Sequence, residues 1–328
     1  MALKGVAKII LAGLIVSGCG SIDDGPVTIA VIPKGATHEH WKSVHLGAEK
    51  AASELGVTIL WKGPMKEDDR EEQLQLFETI IASRADAICI APIDDRVFVR
   101  PVRDARAQCI PTVVFDSALQ GEGHIAFVAT DNYRGGVLGA QRIAELMPDG
   151  GRLIVMRYQE GSAATAEREQ GFLDTIRDHP AIEIISDNQY SGATTESAYR
   201  TMENLLNRFT DFDAIWTPNE SSTFGALRAL EDRGLAGKVV FVGFDTSAKL
   251  VDALAAGKIQ GLSLQNPFRM GYLSVTTAVA SLRGEPFEKT VDTGVTMATP
   301  ENMNDPEVYS LLTHDWSIYT DNGADKGE

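Results

Sequence analysis

Short runs of consecutive apolar residues alternate along the chain with longer stretches in which apolar residues recur every three or four positions. Runs that are apolar throughout predict parallel strands covered on both faces, and the stretches between them predict helices. The predicted strands are residues 27–32, 57–61, 87–91, 112–115, 124–128, 152–156, 182–185, 214–217, 239–242 and 259–264. The predicted helices include residues 41–55, 69–83, 133–146, 163–177, 195–208 and 222–233.

The alternation occurs twice, with five strand-helix units before Asn132 and about five after it. This repetition predicts an α/β fold of two similar doubly wound, Rossmann-like lobes with parallel sheets. The chain is expected to cross between the lobes near residues 131–132 and 265–266, which makes a multi-strand hinge beside an interlobe ligand cleft. The predicted division is 27–131 plus about 266–294 for the N-terminal lobe, 132–265 plus about 295–320 for the C-terminal lobe, and 321–328 for a tail.

The first residues have the pattern of an export signal. Lys4 and Lys8 precede an apolar run at residues 9–16, which is too short to span a bilayer because a spanning helix needs about 20 apolar residues. The tetrad Val16 to Cys19 resembles the bacterial lipobox, in which the cysteine is acylated and the signal is cleaved before it. The prediction is a lipoprotein signal peptide at 1–18, a tether at 19–26 and a lipid anchor on Cys19; a plain signal peptide with an incidental cysteine is the alternative.

Such a signal places the protein outside the cytoplasm, in the periplasm or on the outer face of the cell membrane, held there by its lipid. Two other cysteines, Cys89 and Cys109, lack C-x-x-C and metal-site spacing. An oxidising compartment would allow them to pair, but both adjoin apolar runs. We therefore expect two small buried core residues rather than a disulfide.

Charge narrows the range of partners. The 328 residues carry 30 Lys and Arg against 46 Asp and Glu, a formal net charge of -16. Nucleic acid needs clustered Lys and Arg on one surface, and the sequence has no such cluster. Nucleic acid is therefore not an expected partner.

Motifs for catalysis are absent from the sequence. There is no G-x-G-x-x-G after a strand, no phosphate-binding P-loop and no G-x-S-x-G nucleophile elbow. His38, Glu39, His40 and His45 stand close together, but they do not form H-E-x-x-H and no third distant ligand is evident. We expect no metal, no cofactor and no enzyme activity.

Polar residues follow many of the predicted strands. Ligands of open α/β sheets bind beyond the carboxyl ends of the strands, so these residues are expected to meet at one site. Planar Asp, Asn, Gln and Arg side chains match neighbouring sugar hydroxyls, and rings such as Trp41 and Phe244 suit the apolar face of a sugar. The strand-end residues are Lys34, Asp94, Asp116, Asp131, Asn219, Asp245 and Gln265.

Four segments together resemble the ribose/galactose-type periplasmic binding proteins, the solute receptors of ABC sugar importers. IAVIPKGATHEHWKSVHLGAEKAASELG (29–56) is similar to that family's first strand, ligand loop and helix. AEREQGF (166–172), WTPNESSTFGALRAL (216–230) and VVFVGFD (239–245) resemble segments of its second lobe. The resemblance implies a monomeric receptor that closes on a monosaccharide or sugar derivative, delivers it to an ABC permease and performs no chemistry.

The resemblance also implies which residues bind the ligand. Trp41 takes the place of a ring-stacking aromatic, Asp116 that of a hydroxyl acceptor, and Phe244 a place near the sugar face. Trp41 and Phe244 could instead be core residues, and the aspartates could only cap helices. The implied ligand-binding residues are Lys34, His38, Trp41, Asp116, Thr130, Arg168, Asn219, Phe244, Asp245 and Gln265.

Three positions depart from the family pattern: His40 replaces a second aromatic, Ala91 an asparagine, and Ser117 an arginine. These departures put ribose itself in doubt. Lys34 and His38 would suit an acidic or phosphorylated sugar, or a furanone-like signal molecule, unless neighbouring carboxylates neutralise them.

Other classes of function remain open at this point. The same core serves LacI-like repressors, but here an export signal stands in place of a basic helix-turn-helix. A sugar or autoinducer sensor that feeds a chemoreceptor or histidine kinase would have the same site. An exported α/β enzyme is disfavoured by the missing catalytic motifs.

Overall fold

The computed structural model describes residues 26–315. The predicted signal peptide, the lipid-bearing Cys19, most of the tether and the tail lie outside the described residues. The described elements are β1 Thr28–Ile32, α1 Glu39–Leu55, β2 Thr58–Trp61, α2 Arg70–Ala82, β3 Ala87–Ile90, α3 Val99–Ala107, β4 Thr112–Phe115, β5 Ala126–Ala129, α4 Asn132–Leu146, β6 Gly151–Arg157, α5 Ala163–Ile176, β7 Ile182–Tyr190, α6 Thr195–Arg208, β8 Ala214–Trp216, α7 Glu220–Asp232, β9 Val240–Phe244, α8 Ala248–Ala255, β10 Gly261–Gln265, α9 Pro267–Arg283, β11 Thr290–Asp292, β12 Val295–Ala298 and α10 Pro306–Thr313.

These strands form two six-stranded sheets. The first has the order β11-β5-β4-β3-β1-β2 and the second has the order β12-β10-β9-β8-β6-β7. Neighbouring strands are parallel except β10 and β12, which run antiparallel. Helices cover the strands, and the predicted fold class, α/β with two doubly wound sheets, is confirmed.

The chain passes between the sheets three times. It leaves the first sheet after β5, returns after β10 through α9, and crosses again in the two residues between β11 and β12. Helix α9 packs against α1 and the strands of the first sheet, whereas α4 packs against strands of the second. The three crossings therefore lie side by side between the two sheets.

Strand β7 is longer than the pattern predicts, ending at Tyr190 rather than at residue 185. It lies at the edge of its sheet, and its second half exposes polar residues that break the apolar run. The pattern also left α3, α8, α9, α10, β11 and β12 unassigned. Five of these span only three to nine residues, and α9 carries β-branched Val275, Thr276 and Thr277, which are poor helix formers.

The two cysteines in the described part of the chain differ. Cys89 is a free thiol, completely buried in β3, and its burial raises the pKa of the thiol. The expectation of a second buried cysteine is wrong, because Cys109 is exposed in a left-handed turn between α3 and β4, with φ of 63°. The free state of Cys89 also means that these two residues do not pair.

Helices in the described range are short or amphipathic, and none of them is long and apolar enough to cross a membrane.

Candidate ligand-binding cleft

Two aspartates terminate corresponding strands in the two lobes. Asp116 follows β4 with φ of 61° and Asp245 follows β9 with φ of 66°. Aspartate is among the few residue types that adopt this left-handed conformation without a large penalty. In both lobes the backbone N–H of the aspartate donates to the neighbouring strand, at Val128 O and Ser263 O. The turn aims each carboxylate into the space between the sheets.

In the first lobe Asp116 neutralises two cationic side chains. Lys34 Nζ lies 2.9 Å from Asp116 Oδ2, and His40 Nε2 lies 3.1 Å from Oδ1. Burial alone would raise the pKa of Asp116, but the Lys34 charge and the His40 hydrogen bond hold it well below its usual range. Burial likewise opposes the charge on His40, and the bond to Asp116 outweighs it, so the pKa of His40 is raised.

Glu67, in the loop after β2, joins both lobes. Its Oε1 accepts from Trp41 Nε1 at 2.5 Å and lies 2.7 Å from His38 Nδ1, both in the first lobe. Its Oε2 accepts from the hydroxyl of Tyr158, 2.6 Å away, which follows β6 in the second sheet. This carboxylate therefore ties the first lobe to the second through a buried hydrogen bond.

The pair of Glu67 and His38 is ionised at neutral pH. Burial would lower the pKa of His38, but the adjacent Glu67 charge and hydrogen bond raise it from 6.5 to about 9. Burial would raise the pKa of Glu67, but His38 with its charge and hydrogen bond lowers it to about 2. The positive charge of His38 is thus matched within the cleft.

Arg168 of α5 stands at the centre of the second lobe's face. Its guanidinium lies 3.9 Å above the ring of Phe244. Nε donates to Asn132 Oδ1 at 2.8 Å, and an NH group donates to the carbonyl of Pro218 at 3.0 Å. These fixed contacts hold the side chain flat, with Asp245 Oδ2 at 3.8 Å.

Close packing of α4 on α5 sets the position of Arg168. A Cβ atom on Gly136 would lie 1.9 Å from the carbonyl oxygen of Arg168, and one on Gly171 would lie 2.1 Å from that of Tyr133. Only glycine at these two sites lets the helix backbones approach this closely.

Three residues at or after the ends of two strands, β8 and β10, complete the second lobe's face. Gln265, the last residue of β10, donates from Nε2 to Asp245 Oδ1 at 2.7 Å. The backbone N–H of Glu220 donates to Asp245 Oδ2 at 3.1 Å. Asn219 caps α7 by accepting from the N–H of Ser222.

Eight of the ten predicted ligand-binding residues line one small cavity between the lobes, of about 30 Å³. They are Lys34, His38, Trp41, Asp116, Arg168, Asn219, Asp245 and Gln265. The lobes have closed onto these side chains, since this volume is about that of one water molecule. A cavity of this size cannot hold a sugar unless the side chains around it move apart.

Two predicted residues do not line this cavity. Phe244 is completely buried, and its ring lies beneath Arg168 instead of facing the cleft. Thr130 lies at the first crossing, where its hydroxyl is 3.3 Å from that of Thr293. Phe244 therefore supports a cleft residue, and Thr130 links two of the crossings.

Other lining residues were missed by sequence reasoning, notably Glu67, Tyr158, Ser162 and Glu220. Tyr158 directly follows β6, so its strand-end position is the signal that could have identified it. Glu67 lies six residues beyond β2, where loop conformation decides which side chain reaches the cleft.

Several buried polar atoms of the cavity lack a hydrogen-bond partner. In the described part of the chain six such side-chain atoms occur, and three of them belong to cavity residues: Ser162 Oγ, Glu220 Oε2 and Gln265 Oε1. Buried polar atoms are nearly always paired, so such a cluster points to a ligand that supplies the missing partners.

Glu220 is a buried carboxyl group whose ionised form is disfavoured. Burial raises the pKa of its carboxyl from 4.5 to about 7, although nearby His38 and a hydrogen bond from the backbone N–H of His40 oppose the shift. His40 lies in the first turn of α1, in the first lobe, so Glu220 faces the first lobe across the cleft.

Three histidines at or near the start of α1 each contact a carboxylate. His38 meets Glu67, His40 meets Asp116, and the exposed His45 meets Glu49. Between residues 26 and 315 no group of three His, Cys, Asp or Glu side chains is placed to hold a metal ion.

Comparison with known proteins agrees with this geometry. Residues 29–286 match the sequence profile of the periplasmic binding protein domain. The chain is 29% identical over 286 residues to the ribose import binding protein of Haemophilus influenzae, covering 87% of this chain and 95% of that protein.

Two solved structures are similar in fold and in sequence. The periplasmic component of a sugar transport system from Hahella chejuensis is 37% identical, with a TM-score of 0.81 over 83% of this chain and 99% of that one. A carbohydrate transporter solute-binding protein from Agrobacterium radiobacter, in complex with D-arabinose, is 30% identical, with a TM-score of 0.84 over 89% and 100% of the two chains. By its sequence, its paired sheets and its interlobe cleft, the chain belongs to the periplasmic binding proteins.

Proposed function

We propose that this protein is the extracytoplasmic receptor of an ABC sugar importer and that it binds a neutral sugar between its lobes. The observation that carries the proposal is the ring of polar side chains from both lobes, three of whose buried atoms lack partners among the described residues. The relatives named above are sugar-import and carbohydrate-binding proteins. A sugar offers both donors and acceptors to such a ring.

Balanced charge favours a neutral ligand over an acidic one. Four cationic side chains, Lys34, His38, His40 and Arg168, face the four carboxyl groups of Glu67, Asp116, Glu220 and Asp245. Lys34 and His38, which alone would suit a sugar acid or phosphate, are each within 3 Å of a carboxylate. An added anion would displace these contacts rather than fill a vacant positive site.

Binding acts through lobe closure. The three side-by-side crossings serve as the hinge, and the sugar binds one lobe before the other rotates onto it. Glu67 and Tyr158 then pair across the cleft, so closure reports occupancy. A membrane permease that recognises the closed shape takes the sugar, and no bond of the sugar is broken.

The N-terminal pattern supports a lipid anchor on Cys19, so we place the receptor at a membrane face outside the cytoplasm, with Gly20 onward as its tether. Radiolabelled fatty acid should label the expressed protein but leave Cys19→Ser unlabelled.

A thermal-shift screen tests the function. The panel holds D-ribose, D-arabinose, D-apiose, D-galactose, D-glucuronate and ribose 5-phosphate. A neutral sugar present at 100 times its dissociation constant adds about 2.7 kcal/mol of stability, and the two anionic compounds should add none. Recovery of the unchanged sugar after denaturation separates a receptor from an enzyme. A screen in which no sugar shifts the melting temperature would contradict the proposal.

A further inference from the structure

The two edges of the cleft differ in the closed arrangement. Along one edge, direct hydrogen bonds join the lobes. The Arg70 side chain donates to the carbonyl oxygen of Glu160 at 2.6 Å, and the backbone N–H of Asp95 donates to the carbonyl oxygen of Gly161 at 3.0 Å. Nearby, Ser117 Oγ accepts from the N–H of Ala164 at 3.1 Å. No ligand can extend past this edge without breaking these bonds.

The opposite edge stays open as a groove of about 940 Å³ between the lobes. The first lobe contributes the start of α1 and the loop that carries Met65, and the second lobe contributes residues of α6, α7, α8 and α10. Ligand pockets for drug-sized molecules measure about 300–1,000 Å³, so the groove is large enough for such a ligand. The central cavity, at about 30 Å³, is not.

The groove adjoins the central cavity. His38, Glu67 and Glu220 line both of them. At this junction Glu220 Oε2 is buried without a hydrogen-bond partner among the described residues, so an acceptor is available where a ligand would pass from one space into the other.

The groove walls combine apolar and polar side chains. Met65, Phe224 and Val251 provide apolar surface, and Met65 is 63% exposed. Ser247 and Asp252 provide polar groups beside them. An apolar platform with a polar rim matches a sugar ring, which has an apolar C–H face and hydroxyl edges.

We propose that the groove is a second subsite that takes a further glycosyl unit, so that the preferred ligand is a disaccharide or glycoside with its terminal sugar in the central ring. This inference rests on the proposed sugar-binding function. The second glycosyl unit extends from the central cavity into the groove at the open edge, where it breaks none of the bonds that join the lobes at the other edge. A donor group of the ligand pairs with Glu220 where the two spaces meet.

Matched sugars test the subsite by calorimetric titration of the full chain. The pairs are D-xylose with xylobiose, D-glucose with cellobiose, and D-galactose with lactose. For at least one pair, we expect the disaccharide to bind at least tenfold more tightly than its monosaccharide.

A variant pair locates the effect. Ala248→Trp fills the groove from an exposed position at the start of α8, and Ala255→Trp places the same ring at the exposed far end of that helix, away from the groove. The first variant should abolish the disaccharide advantage while leaving monosaccharide affinity within about twofold, and the second should change neither.

Two results would overturn the inference. If monosaccharides bind and no disaccharide binds more tightly, or if Ala248→Trp leaves disaccharide affinity unchanged, the second subsite is refuted and the receptor function stands. If neither member of any pair binds, and the wider monosaccharide panel also fails, both proposals are refuted together.

Discussion

At the scale of single residues, the cleft depends on carboxylates that each hold several partners. Asp116 holds Lys34 and His40, Glu67 holds His38 and Trp41 as well as Tyr158, and Asp245 holds Gln265. Because these groups are buried, losing one partner leaves another without its bond.

The hydroxyl of Tyr158 should control the stability of the closed form. Tyr158→Phe removes the donor to Glu67 Oε2 and keeps the ring. A hydrogen bond to a charged group contributes about 1.5–3 kcal/mol, so sugar affinity should fall by about 10-fold to 100-fold. Calorimetry measures the loss.

Tyr190→Phe, on the edge strand β7 with 38% of its surface exposed, is the matched control and should keep wild-type affinity. Equal affinities for Tyr158→Phe and wild type would show that the link between Glu67 and Tyr158 does not matter for closure.

His38 predicts a loss of stability in alkali. Its pKa is raised from 6.5 to about 9 by Glu67 against the opposing effect of burial, so its contribution is complete below pH 6.5 and is lost as the pH rises through 9. The loss is on the order of 3 kcal/mol. Urea unfolding at pH 6.5 and pH 9.5 measures it.

Ionisation of the buried Glu220 carboxyl also costs stability, mainly as the pH rises from 4.5 to about 7, so the His38 effect is isolated by comparing a His38 variant with the wild type. His38→Gln should show a much smaller decline between pH 6.5 and 9.5. An identical decline in the variant and the wild type would assign the effect to other groups.

Most of the strand-end residues could be predicted, because parallel strands bring their carboxyl ends to one edge. Asp116, Asp245 and Gln265 follow from that rule alone. Arg168 lies inside a helix, and only the family resemblance marked it. Phe244 lies under Arg168 and does not line the cavity, and a sequence pattern without coordinates does not show which neighbour covers its ring.

At the scale of elements, paired glycines set the distances between helices in both lobes. Gly47 of α1 faces Phe268 of α9 in the first lobe, where an added Cβ would lie 1.9 Å from a carbonyl oxygen. Gly136 of α4 makes the equivalent approach to Arg168 of α5 in the second. Because Arg168 lines the cavity, the close contact between α4 and α5 also sets the geometry of the cleft.

Gly136→Ala should therefore impair both folding stability and binding. Its Cβ would lie 1.9 Å from Arg168 O and 2.8 Å from Phe172 N, and backbone atoms cannot move aside without shifting α5. Overpacking of this kind costs about 1–3 kcal/mol. Urea unfolding and calorimetry together measure the two effects.

Gly123→Ala is the control, since its nearest neighbours are side-chain atoms of Arg103 and Val102 at 3.3 Å. It should stay within about 1 kcal/mol of wild type. If Gly136→Ala were equally mild, the helix contact would not position Arg168.

Elements with strong apolar runs were predicted to within a few residues, whereas those defined by packing were not. Helix α9 interrupts the apolar residues of its buried face, such as Phe268 and Val275, with small or polar Gly271 and Ser274, which weakens the helical pattern. Strands β11 and β12 have only three and four residues, too few to show an apolar pattern, and they are strands because they pair with β5 and β10.

At the scale of the whole molecule, two sheets joined by three crossings leave a cleft between the lobes, and the proposed function requires that this cleft opens and closes. The closed arrangement balances its charges internally, while the chain as a whole is strongly acidic. Binding energy must therefore come from hydrogen bonds and buried apolar surface rather than from attraction to a net charge in the cleft.

Calorimetric titration of wild type and Arg168→Gln with neutral pentoses and hexoses tests the central claim most directly. We expect one sugar per chain with at least one of them, and affinity at least about 30-fold weaker in the variant, because losing a buried charged partner costs about 2–5 kcal/mol. Either a wild-type protein that no neutral sugar saturates, or an Arg168→Gln variant that binds as tightly as wild type, would contradict a sugar site between the lobes.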